Sequence, residues 1–361
     1  MTNDYYSQGL SQTITKLERK IDLPYSESYN MFKRIINCEL TDLQVFSILK
    51  ALGNKGESID EIIALVDIIY GKAIRIRPNI KGSLIDNCGT GGDKVNTFNI
   101  STASSIVASA AGCKIAKHGN RSSSGKSGSS DFLEAIGLDL TKASENASRS
   151  IETIGIGFLF APFFHPTLKS LSKLRQSIGM RTIFNIVGPL CNPCTNLTGQ
   201  VIGVYDRILS QKISKVALKK HDRKYMIVYS HDGVDELTNS GLNNITIVNK
   251  GRIDNYKFFS TNFGITIAPI EKLLIKNREE SIRLTLQAIY GTAEKEIEDV
   301  VVINSAASLI TGDIVNNFKD GIEISRESIK TQKARKKLET LIEKYGQKEK
   351  LIETEKKFGL S

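Results

Sequence analysis

The sequence predicts an α/β protein: a small N-terminal all-α domain, then a large α/β domain with a mainly parallel central sheet. Three observations predict it. The first 75 or so residues carry helix patterning and no strand signal. At Arg77-Pro78 the texture changes, and short apolar runs begin to alternate with Gly/Ser-bearing loops and helical stretches. That alternation is the grammar of parallel strands, since each parallel connection needs a crossover.

In the N-terminal part, two helix starts carry capping boxes, Thr41-Asp-Leu-Gln44 ahead of VFSILKAL and Ser58-Ile-Asp-Glu61 ahead of IIALVDIIY. In each, a hydroxyl caps the fourth residue's N–H and the fourth side chain reaches back. Leu43, Phe46, Leu49 and Leu52 recur at helical spacing and predict the buried face of the first helix. Beyond Pro78, SLID (83–86) reads as a strand running into NCGTGGD, and NISTASSIVASAAG (99–112) as a helix. KIA (114–116) reads as a second strand, KHGNRSSSGKSGSS (117–130) as a polar loop, and DFLEAIG (131–137) as a helix closed by glycine. Further strands are expected at QVIGVY (200–205), YMIVYS (225–230), ITIVN (245–249) and VVIN (301–304). The tail KARKKLETLIEKYGQKEK (333–350) reads as a solvated helix with i to i+4 ion pairs.

Length and composition narrow the function classes. The 361 residues suit two domains, and 40% hydrophobic with 24% charged residues is ordinary for a globular chain. MTNDYYSQGL does not resemble a signal peptide, and runs such as GFLFAPFF (157–164) are too short to span a bilayer. No membrane contact and a cytoplasmic location are the expectation. The five cysteines, Cys38, Cys88, Cys113, Cys191 and Cys194, are odd in number and scattered, which argues against a disulfide framework. Cys191 and Cys194 form a lone CxxC: a redox pair, half a zinc site, or two small loop residues. The net charge is +10, and from Arg326 onward eleven basic residues face six acidic ones. Acids are mixed among these cations and aromatics are not interleaved with them, so nucleic acid is not the expected partner.

Four segments carry chemistry. Gly89-Thr-Gly-Gly-Asp93 follows a strand, where glycines let the backbone turn tightly and approach a ligand closely. It lacks the GxGxxG spacing of a dinucleotide loop. Asn99, Ser101 and Thr102 open the next helix, either as N-caps or as ligands of a phosphate or metal at its positive end. The tract 117–130 nearly contains a P-loop, but five residues rather than four separate Gly119 from Gly125-Lys126-Ser127. Its Lys117, Arg121 and Lys126, placed after a strand of the same sheet, suit a polyanion better than a linker. Asp232-Gly-Val-Asp235-Glu236 follows a strand and is either an Asp-Gly surface turn or an oxygen-donor pair for Mg²⁺. His165 to Arg181 reads as an amphipathic helix whose basic face is either solvated or offers arginine to a carboxylate.

CGTGGD (88–93), NTFNISTA (96–103), KHGNR (117–121), SGKSGSSDFLEAIG (124–137), FLFAPFFHPTLK (158–169), LRQSIGMRTIFNIVGPLCNP (174–193) and DGVDELT (232–238) together resemble the anthranilate phosphoribosyltransferases. These belong to the nucleoside phosphorylase-like phosphoribosyltransferases. The resemblance runs in matching order over roughly residues 8–330. It implies a helical domain, residues 1–77 with 168–192 returning to it, hinged to an α/β domain of residues 78–167 and 193–361. It also implies a homodimer through the helical domains, Mg²⁺ as cofactor, and transfer of phosphoribosyl from phosphoribosyl pyrophosphate to anthranilate. By the same resemblance Gly89, Gly92, Asp93 and Thr97 belong to a diphosphate-binding loop. Asn99, Ser101 and Thr102 hold phosphate, with Ser101 also on the metal. Lys117, Asn120, Arg121, Ser124, Gly125 and Ser129 line the phosphoribosyl site. Asp235 and Glu236 are the acidic metal pair. Gly89, Asn120 and Arg175 contact anthranilate, with Arg175 facing its carboxylate, and His118, His165 and Pro189 shape its channel.

The sequence departs from the family pattern at Lys94, where Gly follows GTGGD in most members, and at Arg121-Ser-Ser, where Arg-Ala-Val is common. The chemistry needs no strong base, because the aromatic amine attacks in its neutral form; His118 is the nearest candidate. Positioning and electrostatics would carry catalysis, with domain closure excluding water. Two other readings share the architecture: a pyrimidine nucleoside phosphorylase-like enzyme and a non-catalytic nucleic-acid-binding relative.

Overall fold

The computed structural model describes residues 2–91, 95–122, 127–169, 171 and 181–360, with side chains from Gly9 onward. The chain divides into two compact units, Met1–Ile74 with Phe164–Pro193, and Arg75–Phe163 with Cys194–Ser361.

The first unit is helical: α1 (Thr2–Glu18), α2 (Tyr25–Ile36), α3 (Asp42–Lys55) and α4 (Ile59–Gly71). Both capping boxes form, at Thr41 with Gln44 and at Ser58 with Glu61. Glu61 is wholly buried, and its carboxylate accepts from the Leu23 and Ser58 N–H groups and from Lys55 Nζ at 2.7–3.1 Å. A charge sequestered in this way is tolerable because each oxygen has a partner. The buried stripe of α3 is Val45, Ile48, Leu49 and Leu52, not the predicted Leu43–Phe46 face. Leu43 stays 75% exposed. Both stripes share Leu49 and Leu52 and fit a 3.6-residue period, and the face turned to α1 decides between them. The returning segment adds a 3₁₀ turn at Pro166–Leu168, a short helix Ile183–Val187 opened by Thr182, and a second 3₁₀ turn at Pro189–Cys191. The rest of the amphipathic helix expected over 165–181 lies outside the described residues.

The second unit is built on one sheet. Its strands are β1 (Leu84–Gly89), β2 (Lys114–Gly119), β3 (Ile156–Phe160), β4 (Gly199–Gly203), β5 (Lys224–Ser230), β6 (Leu242–Asn249) and β7 (Arg252–Phe259), in the order β3-β2-β1-β4-β5-β6-β7. The first five run parallel, and β6 and β7 add an antiparallel hairpin. The α/β fold with a mainly parallel sheet is therefore as the sequence predicts. The connecting helices used below are α5 (Ile100–Ala110), α6 (Ser129–Ala135), α7 (Leu140–Glu145), α8 (Ala147–Ile154) and α9 (Arg207–Lys220). After the hairpin come α10 (Arg278–Tyr290), α11 (Lys295–Thr311), α12 (Phe318–Lys330), α13 (Lys333–Tyr345) and α14 (Lys348–Lys357). No described helix is long and apolar enough to cross a membrane.

Three expectations are corrected here. VVIN (301–304) is not a strand but part of α11, in which every residue from Val300 to Thr311 is buried. A four-residue apolar run cannot be told from a helix buried on all sides by its periodicity. The tail is not simply solvated. Leu338, Leu341, Ile342 and Tyr345 of α13 are buried, and α13 packs against α5. One exposed-face pair is as expected, Arg335 to Glu339 at 2.8 Å. Gly346 ends α13, and Gln347 N–H donates to the Gly137 carbonyl at 2.8 Å, stitching the tail to the segment after α6. Finally, the polar tract is not one loop: Lys117–Gly119 complete β2, and Ser129 and Ser130 open α6.

Candidate active site

The strand order reverses its direction of growth between β1 and β4. From β1 the chain crosses through α5 to β2 on one side, and from β4 through α9 to β5 on the other. Open α/β sheets bind ligands at the carboxyl ends of strands at such a switch point. There Gly89 and Gly203 face each other in register, and Asp235, from the turn after β5, sits against both. A Cβ on Gly203 would overlap the Asp235 carbonyl oxygen, and one on Gly89 would overlap its carboxylate. The Gly91 N–H donates to Asp235 Oδ2 at 2.7 Å. Glycine here makes room for an acidic residue as well as for any ligand.

The turn that carries Asp235 is braced by a second carboxylate. Asp232 Oδ2 accepts from Ser230 Oγ at 2.8 Å, from Thr238 Oγ1 at 3.0 Å and from Ser240 Oγ. Burial alone would raise this carboxyl, but the three hydroxyls hold it below the ordinary carboxylate range. The segment is thus not a free surface turn: Asp235 is 7% exposed. Ser101, Asp235 and Glu236 line one small cavity with Asn87, Gly89, Gly203 and Asn304.

Helix α5 points its first turn at this cavity. Asn99 occupies the N-cap position without capping. Its amide donates instead to Ser127 Oγ at 2.9 Å and Ser281 Oγ at 3.0 Å. The capping alternative is therefore not what the structure shows for Asn99, whose side chain leaves the helix-start N–H groups that favour anions uncapped. Thr102 Oγ1, wholly buried in the same turn, has no hydrogen-bond partner among the described residues. Thr97 pairs with Leu274 in a single bridge ahead of the helix.

Lys117 and His118 differ from a solvated loop. They are 2% and 5% exposed, on β2. Lys117 Nζ donates to the Asn87 carbonyl at 2.7 Å and to Asn87 Oδ1 at 3.2 Å. Burial pulls this ammonium below its ordinary value, against the raising effect of Cys88, Asp86, Glu236 and Asp235. Asn87 in turn donates to the Ser101 carbonyl at 3.1 Å, so Lys117 supports the start of α5 from below. The His118 N–H donates to buried Asp86 at 3.1 Å. Ser129 Oγ and the Ser130 N–H both donate to the Asn120 carbonyl, each at 3.3 Å. Arg121 turns to Glu134 at 2.9 Å and stacks over Phe160. Gly92, Asp93, Ser124, Gly125 and Arg175, with Lys94, lie outside the described residues.

His165 and Pro189 belong to the helical unit. His165 is 3% exposed, and burial lowers its imidazole to about 4, opposed by a hydrogen bond to the Cys191 backbone. In the unfolded chain it titrates near its ordinary 6.5. Below that pH the unfolded chain takes up a proton that the folded unit refuses, so stability falls as pH drops from about 6.5 toward 4. The expected loss is on the order of 3 kcal/mol by pH 4. Thermal melts of His165→Gln should show a visibly flatter acid limb than the parent; superimposable limbs would contradict the assignment. Cys191 and Cys194 are buried, and burial pushes the Cys194 thiol up to about 11, unsuited to redox attack. Among the described residues no three His, Cys, Asp or Glu side chains gather as a metal cluster.

Gly203, Asn87 and Asn304 do not stand out in the sequence as site residues, and Asp232 stands out only as the start of the acidic segment. A glycine inside the apolar strand QVIGVY was the one usable signal, since a strand-interior glycine marks close approach.

Residues 81–335 match a family model described as the glycosyl transferase family a/b domain, and 11–73 match that family's helical bundle domain. The class is therefore a glycosyltransferase of helical-bundle and α/β construction. Over 334 residues the chain is 40% identical to the anthranilate phosphoribosyltransferase of Acetivibrio thermocellus, covering 92% of this chain and 96% of that one. The crystal structure of the Thermus thermophilus anthranilate phosphoribosyltransferase superposes with a TM-score of 0.83 at 31% identity, over 92% of this chain and 98% of that one. The Saccharomyces cerevisiae enzyme in complex with PRPP and Mg superposes at 0.80 with 26% identity, over 96% and 98%. The chain belongs to the anthranilate phosphoribosyltransferase family.

Proposed function

We propose that this chain transfers the phosphoribosyl group of phosphoribosyl pyrophosphate to the amine of anthranilate, releasing pyrophosphate, in tryptophan biosynthesis. The observation that carries it is the meeting of Gly89, Gly203, Asp235 and the uncapped start of α5 at one switch point. The family supplies the substrate pair.

The residues present fit Mg²⁺. Ser101, Asp235 and Glu236 are hard oxygen donors around one cavity, and so few protein ligands suit an ion that keeps its waters and bridges to phosphates. When bound there, Mg²⁺ supplies positive charge to the departing pyrophosphate. The remaining chemistry is the chain's own. Breaking the bond from ribose C1 leaves an oxocarbenium-like carbon and a leaving group of several negative charges. The N–H groups of the 89–93 loop and of the first turn of α5, with Asn99 and Thr102, receive the phosphates. Gly92 and Asp93 complete that loop, and Lys117, Asn120, Arg121, Ser124, Gly125 and Ser129 take the phosphoribosyl part. Besides that role, buried Lys117 holds the floor of the site through its bonds to Asn87. Arg175 faces the carboxylate of anthranilate, Gly89 and Asn120 touch the ring, and His118, His165 and Pro189 shape its channel. The neutral amine attacks C1 and sheds its proton afterwards, so no base need act first.

We further propose a cytoplasmic homodimer joined through the helical unit, supported by that unit's exposed Ile21, Tyr25 and Leu43. The deciding experiment incubates purified protein with anthranilate, phosphoribosyl pyrophosphate and Mg²⁺ and follows anthranilate fluorescence. A loss that needs all three components is expected. No loss, with salt-sensitive DNA binding instead, would overturn the reading in favour of a binding relative.

A further inference from the structure

We propose that Asn304 of α11 is a positioning residue that sets the geometry of Asp235 and Glu236; the proposal rests on the metal-pair reading above. Asn304 is 6% exposed and lines the same cavity as the pair. Its Oδ1 accepts the Leu237 N–H at 3.1 Å, and its Nδ2 donates to the Leu237 carbonyl at 2.8 Å. One side-chain amide thus meets both polar groups of one backbone residue, as a neighbouring strand would. A further bond from Nδ2 to the Val300 carbonyl at 2.8 Å locks the amide against its own helix.

The next residue is clamped in the same way. Asn243 of β6 accepts the Thr238 N–H at 2.8 Å and donates to the Thr238 carbonyl at 2.9 Å. On the other side, the Val234 carbonyl accepts the Ser230 N–H at 3.2 Å. Asp235 and Glu236 are the two residues between these fixed points. The clamp also reaches the third oxygen donor, because α11 packs along α5, whose first turn carries Ser101. One rigid helix therefore references both sides of the cavity. An asparagine on a helix otherwise so buried is poorly explained by packing alone, since its amide must find partners or be costly.

The test omits anthranilate, so that no turnover occurs. Mn²⁺, as a stand-in for Mg²⁺, is titrated by electron paramagnetic resonance in the presence of phosphoribosyl pyrophosphate. Asn304→Ala should weaken Mn²⁺ binding by about ten-fold, the scale seen for residues that orient metal ligands. Separate kinetics should leave the KM for anthranilate nearly unchanged. Asn304→Ser, which keeps a polar group of smaller size, should shift in the same direction by less, and it carries the test if the alanine variant fails to fold. Unchanged Mn²⁺ affinity in the folded variants would overturn the proposal. So would an anthranilate KM that rises as much as the metal constant, since that marks general loosening. Asp235→Asn with Glu236→Gln serves as the control. If it too leaves Mn²⁺ binding intact, the metal-pair reading itself is what fails.

Discussion

Gly203→Ala should lower kcat/KM by about a hundred-fold or more while the protein still folds. No methyl fits between β4 and the Asp235 carbonyl oxygen, which already occupies the place of a Cβ. Either β4 or the turn must move. β4 is held between β1 and β5 by a parallel ladder on each side, whereas Asp235 and Glu236 are the two residues between the tied points at Val234 and Leu237. The turn should therefore yield, carrying Asp235 away from Gly91 and from the cavity it shares with Ser101. A displacement near an ångström at a positioned group costs about a hundred-fold in rate, and overpacking costs roughly 1–3 kcal/mol of stability. Initial rates and melting temperatures measured together decide the matter. A Gly203→Ala enzyme with near-parent rates would show that the turn's position is immaterial.

Asp235→Asn combined with Glu236→Gln should remove Mg²⁺ dependence and about a thousand-fold of activity, within the range lost when a preorganised electrostatic contact is deleted. The fold should survive. An asparagine oxygen can still accept the Gly91 N–H, and the brace at Asp232 is untouched. What goes is two formal charges at the mouth of the cavity, so a metal would find neutral oxygens only. Rates across a Mg²⁺ titration, beside thermal melts, separate the two effects. Ordinary turnover with ordinary metal dependence would return this segment to a mere turn.

The parts of this architecture legible in sequence are those written locally. Both capping boxes depend on residues three apart, and each forms. The strands at 83–86, 114–116, 200–205, 225–230 and 245–249 all fall within or across the observed strands, because each is a short apolar run between loops; the first four belong to the buried parallel part of the sheet and the last to the antiparallel hairpin. Where tertiary context decides, the sequence is mute. Ile156–Phe160 is apolar enough to be a strand but carries no strand-specific alternation. Arg252–Phe259 is mostly exposed, and only its turn, Lys250-Gly251 with both φ positive, betrays a hairpin. Lys117 reads as a loop cation for a polyanion, and its burial on β2 is not foreseen, because nothing nearby in the chain announces Asn87, thirty residues earlier. Gly203 and Asn304 matter only through Asp235 and Leu237, and those contacts are invisible until the strands are ordered.

The support of α5 has a consequence for how the polypeptide is made. That helix lies within residues 100–110, yet two of the helices against it, α11 and α13, span 295–311 and 333–345. At roughly 5–20 residues per second on the ribosome, about ten seconds or more pass before α11 exists, and α13 emerges later still. Through that interval an apolar helix, Ile100–Ala110, waits without its cover. The helix that opens onto the candidate site thus gains its cover late, and a nascent chain stalled short of residue 330 would be a client for chaperones.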